Sequence, residues 1–122
     1  MAADVWKLEV FRRAYALSLE MHRASGAFPR SEQYGGVAEQ LRRASKSVCA
    51  LLAEGSGRQV SSDPEFRRYL TMALGSVEEV KLWCCYARDL GYAEAVQTDH
   101  WIAAYTEVAR MLQGLLRRLS EN

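Results

Sequence analysis

The stretch WIAAYTEVARMLQGLLRRL, residues 101–119, decides the fold. Its large apolar side chains fall at Trp101, Tyr105, Val108, Leu112, Leu115 and Leu119, always three or four residues apart. A helix of about 3.6 residues per turn brings such positions onto one face, whereas a strand needs alternation at every second residue. Upstream segments repeat the pattern. Residues 37–51 give Val37, Leu41, Ala44, Val48 and Leu51, and residues 66–87 give Phe66, Tyr69 or Leu70, Ala73, Val77, Val80, Cys84 and Ala87. The first segment offers two stripes: Leu8, Phe11, Tyr15 and Leu19, and beside it Val10, Ala14, Leu17 and Met21. No segment alternates with a period of two, so no sheet is expected.

Punctuation sets the ends. The only prolines, Pro29 and Pro64, both fall between periodic segments. Ser62 and Glu65 around Pro64 have the spacing of a capping box, and glycines stand at Gly26, Gly55, Gly57 and Gly91 where helices should stop. The spacing predicts helices over residues 4–25, 32–56, 62–90 and 94–120. Short connections force neighbouring helices to run in opposite directions. The expected fold is a single all-α domain over residues 1–122, an antiparallel up-down-up-down four-helix bundle.

The bulk composition narrows the function. At 122 residues and 49% apolar content the chain has the makings of one packed core. A formal charge of +1 gives no chain-wide attraction for nucleic acid or an anionic membrane. The N-terminus is interrupted by charges, unlike a secretory signal, and no run is long and apolar enough for a membrane span. Cys49, Cys84 and Cys85 are odd in number and lack CxxC spacing, which speaks against a disulfide framework or structural zinc. The expectation is a reduced, cytoplasmic protein with no membrane partner and no cofactor.

Catalytic chemistry is not legible. His22 and His100 belong to no HExxH pattern and read as surface or helix-end residues. Cys49 sits in an apolar run and Cys84 in the core stripe, both positions of inert thiols, while Cys85 points about 100° away. Glu78 and Glu79 lack the following His of a di-metal bundle and read as ion-pairing groups, with Arg42 and Arg43 as candidate partners. Ala53-Glu54-Gly55-Ser56-Gly57-Arg58 lacks the Lys-Ser/Thr of a P-loop. It reads as a helix end with Gly55 or Gly57 in the left-handed conformation and Arg58 placed to pair with Glu54 or meet a phosphate. No catalytic or metal-ligating residue is assigned.

Two features point to binding. Trp6, Val10 and Leu17 in the first segment and Met72, Leu74, Leu82, Trp83 and Tyr86 in the third widen the apolar faces beyond what one bundle buries, which predicts self-association. Residues 40–68 hold six Lys or Arg against three acids, whereas residues 75–100 are acidic. Such asymmetry can guide a polyanion to one end, although a solvated charged face is the commoner outcome.

The run Gln40-Leu41-Arg42-Arg43-Ala44-Ser45-Lys46-Ser47-Val48, followed by Ala53-Glu54-Gly55-Ser56-Gly57-Arg58, resembles the QxRRAxxSxxxNIAEGxGR signature of the bacterial four-helix bundle family, also called the 23S rRNA intervening-sequence protein family. Glu65-Phe66-Arg67-Arg68-Tyr69-Leu70, Ala73-Leu74-Gly75-Ser76, Leu90-Gly91-Tyr92 and Arg110-Met111-Leu112 extend the resemblance over nearly the whole chain. It implies an antiparallel bundle that assembles as a homopentameric ring and has no enzymatic activity. Relatives include the accessory variability protein of diversity-generating retroelements, which implies nucleic acid or a nucleic-acid enzyme as a possible partner. The chain departs from the pattern at Cys49 and Leu51, where members often have Pro and Asn. Arg42, Arg43, Glu54, Gly55, Gly57, Arg58 and Glu78 form the candidate binding or structural polar cluster. In it Glu54 and Glu78 would order the arginines, and the glycines would leave backbone N–H groups accessible.

Overall fold

The computed structural model describes residues 4–58 and 63–120, and among these the chain is all-α, with four long helices and no strand. Helix α1 is Glu9–Ser25, α2 is Val37–Arg58, α3 is Asp63–Asp89 and α4 is Ala95–Ser120, with short 3-10 turns at Val5–Lys7 and Arg30–Glu32. Helix α1 packs on α2 and α4, α3 packs on the same two, and α1 and α3 do not come within packing distance among the described residues.

The third and fourth stripes are read correctly from the sequence. Phe66, Tyr69, Leu70, Ala73, Val77, Val80, Cys84 and Ala87 of α3 are buried, as are Trp101, Tyr105, Val108 and Leu112 of α4. Each large apolar side chain taken from water there contributes about 1.5–3 kcal/mol. Leu115 and Leu119, one and two turns further on, are only half-buried against the core. In α1 the core takes Val10, Ala14, Leu17 and Met21 together with Phe11, and leaves Tyr15 and Leu19 more than a third exposed. In α2 the last core position is Leu52, not Leu51.

Several boundaries depart from the expected ones, each for a local reason. Asp4 caps as its residue type suggests, accepting the Trp6 backbone N–H at 3.0 Å, but the element it caps is the turn Val5–Lys7. Leu8 is extended (φ −80°, ψ 122°), so α1 begins only at Glu9, and the Arg12 guanidinium donates to the Trp6 carbonyl at 2.7 Å and holds the turn against the helix. Helix α2 starts at Val37 instead of residue 32 because Gly35 has φ +79°, which no right-handed helix tolerates. Gly36 then lies so close to the preceding turn that a Cβ would stand 2.6 Å from Glu32 Cα. The Ser62 capping box falls outside the described residues.

At the other end α2 runs through Gly55 and Gly57 to Arg58, so neither glycine is a left-handed cap and their N–H groups lie within a helical segment. The glycine at 55 has another cause. A Cβ there would come within 2.7 Å of Tyr69 Cβ, so at Gly55 α3 packs directly against the α2 backbone. Gly57 faces open space and nothing in the structure requires glycine there. The stop at Gly91 is as expected: Gly91 has φ +77°, its N–H donates to the Arg88 carbonyl at 3.0 Å, and the Tyr92 N–H donates to the Ala87 carbonyl at 2.8 Å. That is the Schellman pattern of a glycine helix end.

Candidate functional site

The candidate residues are distributed along α2 and α3 rather than gathered in one cluster. Arg42, half-buried near the start of α2, turns toward the α1–α2 connection. Its guanidinium donates to Ser25 Oγ at 3.1 Å, to Gln33 Oε1 at 3.1 Å and to the Gln33 carbonyl at 2.8 Å. The Gln33 amide then donates to the carbonyls of Ser25 at 2.8 Å and Phe28 at 3.0 Å. Such a fork, with its donors spent on fixed acceptors, is a structural clamp. Arg42 therefore does not pair with Glu78 or Glu79, as expected from the sequence, because it lies on the α1 side of α2. It also forms one wall of a shallow cavity of about 330 Å³ with Gly26, Phe28, Arg30, Gln33 and the exposed Tyr34.

Arg43, one residue on, faces α3. Among the described residues its guanidinium has no hydrogen bond or ion pair. It lines a groove of about 460 Å³ between α2 and α3 together with Gln40, Lys46, Ser47, Ser76 and Glu79. The Ser47 and Ser76 hydroxyls meet across the groove at 3.0 Å, and the Lys46 ammonium lies 2.9 Å from His22 Nδ1. Glu79 accepts from Trp83 Nε1 at 3.3 Å, and Glu78 pairs with Lys81 at 3.3 Å, so neither carboxylate orders an arginine.

The third group sits at the end of α2. Glu54 accepts the Tyr69 hydroxyl at 3.1 Å and pairs with Arg58 at 3.5 Å, the pairing expected from their spacing. Tyr69 is the hub: the Arg58 and Arg68 guanidinium carbons lie 5.8 and 4.9 Å from its ring centroid. Arg68 is in turn 3.3 Å from Glu65. Tyr69 was legible only as a core-stripe residue; a buried ring with its hydroxyl on a carboxylate and cations over its face depends on the α2–α3 crossing. The exposed pair Glu54–Arg58 itself contributes little, about 0–1 kcal/mol.

The thiols behave as small hydrophobes. Burial pushes Cys49 up to about 11 despite a hydrogen bond with Ser18, and burial with the neighbouring Cys85 pushes Cys84 up to about 12. Tyr105, fully buried in α4, has a hydroxyl without a hydrogen-bond partner among the described residues, and burial raises its pKa. Among the described residues no three His, Cys, Asp or Glu side chains converge, and no helix is long and apolar enough to cross a membrane.

Among the described residues the chain is an all-α, four-helix protein with basic groups along α2. Residues 6–114 match the model of the 23S rRNA-intervening sequence protein family, and the chain belongs to that family. A solved structure, a protein of unknown function from the S23 ribosomal protein family of Bacteroides thetaiotaomicron, superposes with a TM-score of 0.77 at 18% identity. The match covers 88% of this chain and 97% of that one and supports the shared fold. No curated protein matches the chain.

Proposed function

We propose that the chain is a non-enzymatic, homo-oligomeric assembly and binding module whose four helices run up-down-up-down and whose subunits close into a pentamer. The helix directions are supported by cross-helix contacts whose numbering falls on one helix as it rises on the next. Ser25 meets Arg42 while His22 meets Lys46, and Ser47 meets Ser76 while Glu54 meets Tyr69. The ring size rests on the family resemblance. The observation that carries the assembly reading is the set of large apolar side chains left in water: Trp6 is 52%, Leu82 51% and Tyr86 48% exposed. Apolar surface on this scale beside well-packed helices is what subunit contacts cover. Sedimentation velocity at micromolar concentration tests it: a particle several times 13.8 kDa is expected, and a clean monomer overturns it.

A second reading, a nucleic-acid-binding accessory protein, draws support from Arg43, which is exposed, has no hydrogen bond or ion pair among the described residues and shares its groove with Lys46. A fluorescence titration with RNA and DNA at low salt should show binding that falls with salt and weakens in Arg43→Ala and Arg58→Ala. Unchanged or absent binding rejects this reading. Arg42→Ala is a poor probe of it, because that guanidinium is occupied within the fold.

A further inference from the structure

The exposed stripes of α1 and α3 differ in charge. On α1, Arg12, Tyr15, Leu19 and Arg23 follow at steps of three and four, all exposed, so one outward face carries an aromatic and a leucine between two arginines. Trp6 extends it, its ring 5.0 Å from that of Tyr15. On α3, Glu78, Leu82, Tyr86 and Asp89 follow at the same kind of spacing and are likewise exposed, so that face carries a leucine and a tyrosine between two carboxylates. Trp83 lies beside it, 5.4 Å from the Tyr86 ring. As many residues separate Arg12 from Arg23 as separate Glu78 from Asp89, about 16 Å of helix at ~1.5 Å per residue.

The faces do not belong to one continuous patch. Helices α1 and α3 are the pair that does not touch, each being packed on α2 and α4, so their outward sides look away from each other. Two different, complementary patches on opposite sides of one molecule make a head-to-tail contact, which propagates from copy to copy and closes if the rotation permits. Like patches facing each other would instead place arginines against arginines or carboxylates against carboxylates, which opposes association.

We infer that the basic-apolar face of α1 in one copy docks on the acidic-apolar face of α3 in the next, a heterologous contact. This rests on the assembly reading above and adds which surfaces meet. With α1 and α3 running the same way in each copy, rotation about an axis along the bundle brings Arg12 beside Glu78 and Arg23 beside Asp89. Leu19 and Tyr15 then meet Tyr86 and Leu82.

The test uses two variants of the full chain, Leu19→Glu and Leu82→Glu, both at exposed positions, with circular dichroism to verify folding. Each alone should be a monomer. Mixed, they should form a one-to-one dimer and stop there, because the intact α3 of the first accepts the intact α1 of the second. Charge gives an independent arm: Arg23→Glu should raise the dissociation constant at least about tenfold, and adding Asp89→Arg in the same chain should restore it. If the unaltered chain is a monomer, the assembly reading itself fails. If it assembles and either leucine variant alone still dimerises, or the mixture yields no dimer, assembly stands and the α1-to-α3 contact is overturned.

Discussion

The two ends of α2 carry the same kinds of side chain and use them differently. Near its start, Arg42 is half-buried and each of its contacts is a hydrogen bond to a fixed acceptor in the connection from α1. Near its end, Arg58 is exposed, pairs with a carboxylate one turn away and leans over the Tyr69 ring. The tight element at that end is not a charge but the absence of a side chain at Gly55. Charge fastens the helix where it reaches a loop that needs donors. Close backbone approach fastens it where two helices cross. Residue type alone does not separate the two roles; burial and geometry do.

Substitutions can break this contrast in order of expected effect. Gly55→Leu should be the most damaging, about 3 kcal/mol, because the new side chain enters a space already filled by Tyr69, and urea denaturation would measure it. Arg42→Ala should follow at about 2 kcal/mol, since the Gln33 and Ser25 acceptors lose their charged donor, whereas Arg43→Ala next to it should change stability by less than about 0.5 kcal/mol. An equal loss in both arginine variants would refute the clamp. Tyr69→Phe should lose about 1 kcal/mol with the hydrogen bond to Glu54, visible as a shift of a few degrees in Tm. Arg58→Ala is the smallest, below about 0.5 kcal/mol, because its carboxylate partner stays solvated.

How much of this was legible in the sequence follows the same line. The α3 and α4 stripes were read correctly because an unbroken run of apolar positions at helical spacing crosses each segment, even though α3 carries Met72, Leu82 and Tyr86 outside its run. Helix α1 offers two, and periodicity cannot say which one meets α2 and α4; the aromatic stripe lost Tyr15 and Leu19 to the surface, where the rings of Trp6 and Phe11 surround Tyr15. The Glu54–Arg58 pair follows from helical spacing. The partners of Arg42 do not, because they lie in a connection whose path depends on Gly35. Gly55 and Gly57 look like a stop signal in one dimension and become a crossing point only when α3 is in place. The Pro-to-Cys49 departure from the family pattern is consistent with α2 running unbroken through that position.

The Arg42 clamp also bears on how the chain finds its fold. Its acceptors, Ser25 and Gln33, are separated from it by short stretches of chain, so fixing them closes only small loops and loses little chain entropy. The pairing of α1 with α2 is thereby a local event, whereas Glu20 reaches Trp101 only after most of the sequence has been gathered in. Helical proteins dominated by the first kind of contact fold fast. In this molecule the contacts between the first two helices close short loops, whereas the contact of α4 with α1 closes one of 81 residues.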